Sequence, residues 1–248
     1  MASLSFVGLA FYVVVLIGAF AVRSAAGFGA GLIAVPMLAL ILPVSTAVAV
    51  ATALTTLTSV HQVIRDWREI AWRQFAVVEF YTLIGIGVGF YFIKLLDENT
   101  LRRSLGVFLI LYSIHALWKA NATPVLPARW HGPLAAAVGI GGGLFSALFG
   151  GGVGPIYVVY FNILRLERTT FRVTMSAVVL IGGFARLAGY AIYGFYGGST
   201  MTLLAVGLPL VVVGSWVGER FARWFSGQMF SRFVGGLVLL SGVALLLN

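Results

Sequence analysis

Cysteine is absent from the 248 residues, and charged side chains are scarce, at 9% of the chain. The absence of cysteine excludes disulfides, iron–sulfur clusters and thiolate metal sites. Three histidines and seven acidic residues, scattered along the chain, do not suggest a metal cage, and we expect no cofactor. Because soluble domains carry about 25% charged residues, this chain has too few to cover a surface in water.

Apolar residues make up 60% of the chain and are grouped in long runs between clusters of charge. A bilayer core is spanned by about 20 such residues in a helix. The apolar segments are 4–22, 31–42, 46–64, 72–93, 101–118, 133–149, 153–164, 173–195, 201–217 and 230–247. The sequence therefore predicts an all-α integral membrane protein, with one transmembrane domain over 1–248 in contact with the lipid bilayer.

The net charge of +9 would suggest a nucleic-acid partner in a soluble protein. Here lysine and arginine lie mainly between the apolar segments, where such residues set membrane topology. We therefore expect no nucleic-acid partner. The sequence leaves the oligomeric state open.

The two halves of the chain resemble each other on either side of the polar stretch 119–131. Residues 28–31 match 149–152, and residues 46–53 match 170–177. Two glycine pairs with the same spacing also match, and we assign them to helix packing: Gly85 and Gly89 with Gly214 and Gly218. The shared order predicts a repeat, with units at about 1–120 and about 130–248.

The distribution of basic residues favours inverted repeats. If each glycine-interrupted pair of segments enters and leaves on one side, 11 basic residues lie inside and three outside. If each pair makes one crossing, the best division is nine and five. The first arrangement places both termini outside the cytoplasm. Its exception is one basic connection, which carries Lys94, Arg102 and Arg103.

Glycine-rich stretches interrupt the apolar sequence once in each half, at 27–31 and 150–155. A broken or re-entrant helix at membrane depth needs surrounding protein or a water-filled cavity. The helix that resumes after the break presents free N–H groups and a positive dipole end, which attract anions. Close helix packing is the alternative explanation. The candidate donors to a small anionic substrate are Gly29, Gly31, Gly150, Gly151 and Gly152.

Polar side chains inside the apolar segments are the other candidates. Arg186 lies well inside its segment, where a charge suggests function, with backbone carbonyls as a structural alternative. Arg23 precedes the first break and either faces a pocket or extends to the far interface. Thr52 and Ser176 occupy matching positions, and their hydroxyls donate either to an anion or to their own helix.

Glu79 is the acid that lies deepest in an apolar segment and is a candidate proton carrier. The alternative to proton transfer is that Glu79 pairs with Arg73 or is exposed at the membrane interface, and we favour this alternative. Export also needs no acid if voltage drives it, because the membrane potential acts on an anion with about 2.3 kcal/mol per charge per 100 mV.

Paired glycine-rich stretches at 27–36 and 150–155, each followed by an apolar run and then by a hydroxyl-bearing helix, extend over both halves. On these residues the chain resembles the TauE/SafE family of sulfite and organosulfonate exporters. The resemblance implies a secondary transporter that exports sulfite, sulfoacetate or a related anion across the bacterial inner membrane. An anion channel or a permease for another small organic anion is the alternative. The sequence contains no cluster of His, Asp and Glu residues of the kind that a membrane enzyme would need, so we do not expect an enzyme.

Overall fold

The computed structural model describes residues 5–26, 29–118, 127–150, 154–221 and 227–247. These residues form helices and turns, without a strand. Short 3-10 helices cover Trp67–Glu69 and Ala128–Trp130. The α-helices are α1 Phe6–Ala26, α2 Ala30–Leu38, α3 Val44–Asp66, α4 Trp72–Leu95, α5 Glu98–Trp118, α6 His131–Phe149, α7 Gly154–Ile163, α8 Arg168–Ile192, α9 Gly198–Phe221 and α10 Gly227–Leu247. Each predicted apolar segment corresponds to one of these helices.

Six of the described helices are long and apolar enough to cross a membrane, namely α1, α3, α4, α6, α8 and α9. At about 1.5 Å per residue, α2 and α7 extend over only about 15 Å, which is half of a hydrocarbon core of about 30 Å. Both short helices follow a glycine-rich stretch. The prediction of an all-α membrane protein is confirmed.

The outer surface of the helices is apolar. Phe80 is 62% exposed, Val212 69% and Leu240 73%. A continuous apolar surface of this kind is unfavourable in water and matches the hydrocarbon of a bilayer. The core of the bundle is filled by α1, α2 and α3 together with residues of the surrounding helices.

Two helix pairs pack closely through glycine. A Cβ on Gly89 of α4 would lie 2.8 Å from the carbonyl oxygen of Leu144 in α6, and Gly85 faces Ile140 one turn earlier. The direction of these contacts makes α4 parallel to α6. Because the glycines lie against backbone carbonyls, their interpretation as packing residues is confirmed.

The pair α9 and α1 repeats this arrangement. A Cβ on Gly214 would lie 2.7 Å from the carbonyl oxygen of Ile17, and Gly218 faces Ala21. The two helices are therefore parallel, and their backbones approach each other as closely as those of α4 and α6.

Helices α3 and α8 pack in opposite directions. The Ser176 hydroxyl donates to Gln62 Oε1 at 2.8 Å. A second contact joins Gly183, seven residues after Ser176 in α8, to the side chain of Thr56, six residues before Gln62 in α3. This antiparallel contact brings Thr52 and Arg186 to the same end of the α3–α8 interface.

Candidate functional site

The predicted site residues lie in two places. Arg23 borders an open cavity of about 500 Å³, which we call the Arg23 cavity. It lies between the C-terminal ends of α1, α3 and α9 and the N-terminal end of α8. Arg186 and Thr52 lie in a buried group of polar side chains, which we call the Arg186 cluster, with Ser146, Glu79 and Tyr190.

Arg23 is held at the wall of its cavity. Its side chain is 7% exposed, and Nη2 donates to Ser59 Oγ at 2.7 Å. The Ser59 hydroxyl in turn donates to the carbonyl oxygen of Thr55 at 2.9 Å. Of the two possibilities left open by the sequence, Arg23 faces the cavity and does not extend to the far interface.

The cavity as a whole is positively charged. Two further arginines, Arg65 and Arg172, line it together with one acid, Glu219. The Arg172 guanidinium donates to the carbonyl oxygen of Ser24 at 3.4 Å, which ties α8 to the end of α1. Arg65 is already paired with Asp66, with its Nε 3.2 Å from Asp66 Oδ1. Three guanidinium groups against two carboxylates still leave a net positive charge, which favours an anionic occupant.

Sequence reasoning had counted Arg65 and Arg172 only as loop charges. Their positions could have indicated the site. Arg65 directly follows segment 46–64 and Arg172 directly precedes segment 173–195, and the charge distribution places both segment ends on the same side of the membrane.

Ser176 is 1% exposed and donates to Gln62, which lines the cavity. The Ser176 hydroxyl therefore donates to a neighbouring helix and not to a carbonyl of its own helix.

Arg186 lies on α8 and is 4% exposed. Its Nη1 donates to Ser146 Oγ of α6 at 3.0 Å, whereas its Nε has no hydrogen-bond partner among the described residues. Its partner is thus a side-chain hydroxyl and not a backbone carbonyl, the structural alternative considered from the sequence. A guanidinium with one unused donor, buried in a membrane helix, is a strong candidate for ligand binding.

Aromatic hydroxyls fix the helices around Arg186. Tyr190 Oη donates to the carbonyl oxygen of Ala147 at 2.6 Å. Tyr157 and Thr82 share a hydrogen bond of 3.2 Å between their hydroxyl oxygens. Sequence reasoning missed all of these residues and Ser146. The available signal was weak, because single hydroxyls in apolar helices commonly bond to their own backbone.

Glu79 of α4 is 4% exposed, and neither of its carboxylate oxygens has a hydrogen-bond partner among the described residues. The preferred interpretation, pairing with Arg73 or exposure at the interface, is wrong, because Arg73 lies on the exposed side of the helix. Glu79 instead lies near Arg186. A Cβ placed on Gly182 would be 3.5 Å from Glu79 Oε1 and 3.4 Å from Arg186 Nη1.

Thr52 is 1% exposed, and its Oγ1 also has no partner among the described residues. Its neighbours differ, since Thr56 donates to the carbonyl oxygen of Thr52 at 2.7 Å and Thr55 likewise bonds to its own helix. The alternative of a bond within the helix therefore does not apply to Thr52. Its hydroxyl lies close to that of Tyr190.

The candidate glycines mark the helix ends next to the breaks. Gly29 precedes α2 with φ 101°, and Gly150 ends α6 with φ 67°, a region that favours glycine. Gly31 is buried in the first turn of α2. The Gly150 N–H already donates to the carbonyl oxygen of Ser146 at 2.9 Å. Two further candidates lie outside the described residues, namely Gly151 and Gly152.

The sequence profile described as "Sulfite exporter TauE/SafE" matches residues 10–245. The chain belongs to this family. The "Probable sulfite/organosulfonate exporter TauE" of Cupriavidus necator is 24% identical over 230 residues, which cover 91% of this chain and 88% of that protein. No solved structure matches. The predicted resemblance is confirmed.

Membership in the TauE/SafE family, together with six helices able to cross a membrane, makes the chain a multi-pass protein of the inner membrane. The family is one of exporters and not of enzymes, and it implies a small anionic substrate. Both polar sites fit this chemistry, because each combines a buried guanidinium with hydroxyl groups.

Proposed function

We propose that the protein is a secondary transporter that moves small sulfur-containing anions outward across the bacterial inner membrane by alternating access. Sulfite, sulfoacetate or a similar organosulfonate is the substrate. The observation that carries the proposal is the Arg23 cavity, an open space of about 500 Å³ with a buried guanidinium in its wall. The printed name of the Cupriavidus necator relative supports the substrate class.

The chemistry of the cavity suits a sulfonate or sulfite group. Such a group presents three oxygens, which the planar donors of arginine can bind in pairs. Arg23 and Arg172 supply these donors, whereas the Arg65 guanidinium donates to Asp66. Ser176 acts through Gln62 at the same cavity, whereas Thr52 and Arg186 belong to the second site.

The packing supports two inverted repeats, 1–120 and 130–248. The contact of Gly85 with Ile140 has a counterpart in that of Gly214 with Ile17, and the contact of Gly89 with Leu144 in that of Gly218 with Ala21. Helices α3 and α8 occupy equivalent positions in the two halves and pack antiparallel. Equivalent helices that cross the membrane in opposite directions are what inverted repeats require.

The same correspondence relates the two sites. The shift that aligns Ile17 with Ile140 places Arg23 on Ser146, and the shift that aligns Gly85 with Gly214 places Glu79 on Leu208. Leu208 lines the Arg23 cavity, and Ser146 binds Arg186. The open cavity of one half therefore corresponds to the closed cluster of the other. Alternating access exchanges these two states, so the Arg186 cluster opens when the Arg23 cavity closes.

The basic residues orient this cycle. The helix ends around the Arg23 cavity carry Arg65, Arg172 and Arg220, which the positive-inside rule places in the cytoplasm. The cavity then receives the anion from the cytoplasm, as export demands, and both termini lie on the opposite side. Gly29 and Gly31, at the start of α2, contribute backbone donors on the path.

A thermal-shift screen of the purified protein tests the substrate class. Sulfite, sulfoacetate, taurine and thiosulfate are compared with carboxylates at millimolar concentration. A ligand at about 100 times its Kd adds about 2.7 kcal/mol of stability, so we expect a clear increase in Tm with sulfur anions. Arg23→Gln removes most of this increase. The control Arg68→Gln retains it, because Arg68 packs on the Trp67 ring outside the cavity.

If no sulfur anion raises the Tm, the substrate class is wrong. An anion channel built from the same parts is the second candidate, since a positively charged vestibule also suits a channel. The closed Arg186 cluster favours the carrier. Saturable flux in proteoliposomes that is stimulated by anion on the opposite side supports a carrier, and flux without saturation supports a channel.

A further inference from the structure

Glu79 is a buried carboxyl group that the transport cycle described above does not use. Its side chain is 4% exposed, and both carboxylate oxygens are without a hydrogen-bond partner among the described residues. Buried polar groups are almost always paired, and a buried carboxylate without donors is particularly costly. The position of Glu79 therefore requires a functional explanation or a second conformation.

Arg186 shows the complementary deficit. Its Nη1 donates to Ser146, but its Nε is without an acceptor among the described residues. Arg186 and Glu79 lie on either side of Gly182, at 3.4 Å and 3.5 Å from the place of a Cβ there. The two groups are neighbours, although no hydrogen bond joins them.

Thr52 completes the set of unsatisfied groups. It lies one helical turn from Thr56, which packs against Gly183, and Arg186 follows Gly183 by three residues in the antiparallel helix. The Thr52 hydroxyl and the Arg186 Nε are thus two buried donors at the same level of the interface, both without an acceptor among the described residues. An oxygen of a sulfite or sulfonate group would satisfy them.

We propose that Glu79 is the internal counter-ion of Arg186 and binds one proton whenever an anion occupies the site at Arg186 and Thr52. In the empty protein, the Glu79 carboxylate neutralises the Arg186 guanidinium. When the anion binds, a proton from water on the open side joins a Glu79 oxygen. On the other side, the anion leaves and the proton returns to water. This inference rests on the proposed transport function and names its coupling ion.

The physical reason is that two negative charges compete for one guanidinium in a medium of low dielectric constant. Without Glu79, the empty site would leave Arg186 uncompensated within the membrane. Among the described residues, the charged or titratable groups that face Glu79 are Arg186 from α8 and Tyr157 from α7. Helix α6 presents glycines to α4 at this level, Gly139 and Gly143.

A consequence concerns the driving force. A monovalent anion that moves with one proton carries no net charge, so the membrane potential alone does not expel it. A divalent anion such as sulfoacetate moves with one net negative charge and still responds to voltage. The expectation that export needs no acid is replaced by a cycle in which Glu79 is essential.

The test uses the full chain in liposomes, loaded with sulfoacetate and a pH-sensitive dye. We expect the wild type to move one proton with each sulfoacetate during net efflux. Glu79→Gln mimics the permanently protonated carboxyl, so it retains sulfoacetate exchange but loses proton movement and most net efflux. Glu79→Asp retains a titratable group and therefore retains proton movement, which separates loss of the carboxyl from misfolding.

The control variant Glu69→Gln keeps proton movement at the wild-type ratio, because it removes an exposed carboxyl in the turn before α4. If Glu79→Gln still moves protons with sulfoacetate, or if the wild type moves sulfoacetate without protons, the inference is wrong and the transport function stands. If the wild type exchanges no sulfur anion, the proposed function itself fails.

Discussion

The Arg23 cavity and the Arg186 cluster contain the same link in reversed order. In the first half, the arginine lies on the first helix and bonds to a serine of the third, Arg23 to Ser59. In the second half, the serine lies on the first helix and the arginine on the third, Ser146 and Arg186. The comparison shows that each half contains one arginine–serine bond between its first and third helices, and that the arginine lies on a different helix in each half.

The two sites differ in what balances the arginine. Leu208 lines the Arg23 cavity at the position that corresponds to Glu79 near Arg186. Arg23 faces open space, where water or an anion can compensate its charge, whereas Arg186 is enclosed with a carboxyl group nearby. In our proposal, the Arg23 cavity receives the anion directly, whereas the Arg186 cluster binds it only after the Glu79 carboxylate has been neutralised.

The largest expected effect tests whether the halves are packed alike. Gly89→Leu and Gly214→Leu each place a side chain 2.8 Å or 2.7 Å from a backbone carbonyl of the neighbouring helix. Because the backbone cannot yield, we expect both variants to lose the folded protein, as measured by monodisperse yield in size-exclusion chromatography. The controls Gly87→Leu and Gly141→Leu face open space and should fold. A normal yield for only one of the two variants would break the equivalence of the halves.

A smaller effect separates the two arginines. Removing one partner of a buried charge pair costs about 3–5 kcal/mol, so Arg186→Ala should strongly lower the stability measured by unfolding in detergent. Arg23→Ala loses a hydrogen bond to Ser59, which still bonds to Thr55, and should cost about 1–3 kcal/mol. Adding Glu79→Gln to Arg186→Ala should recover part of the loss. Equal losses for both single variants would contradict the difference in charge balance.

Labelling of single cysteine variants, which should affect stability least, tests which of the two sites is open. Because the chain lacks cysteine, single variants can be labelled without background. Thr58→Cys, in the wall of the Arg23 cavity, should react with a membrane-impermeant maleimide from the cytoplasmic side, whereas the buried Thr82→Cys should be protected. Saturating sulfoacetate should slow the first reaction and accelerate the second from the opposite side. Unchanged rates for both would argue against an exchange of open sites.

Local sequence patterns predicted much of the fold. Long apolar runs gave the helices and the membrane, since hydropathy is a property of each segment alone. The matching of Gly85 and Gly89 with Gly214 and Gly218 correctly indicated close packing, because a helix with two small residues one turn apart permits a near approach. The sequence also indicated Arg23 and Arg186 as candidate site residues, because a charged side chain in an apolar segment is costly and therefore rare without a function.

The preferred interpretation of Glu79 was wrong because burial depends on a neighbour. Hydropathy placed the residue inside a helix, but only the packing of α4 against α6 and α8 decided that this face is enclosed. Ser146 was missed for a similar reason, since nothing in its own segment indicates a contact with Arg186, 40 positions away.

The sequence by itself determined a membrane-embedded bundle and the small number of polar groups that could contact an anion, and it predicted two related halves. Only the tertiary structure decided how those groups are divided, with Arg23 at an open cavity and Arg186 enclosed beside Glu79. The physical reason is that hydropathy and glycine spacing act within one helix, whereas a site depends on the rotation and direction of helices that are distant in the chain.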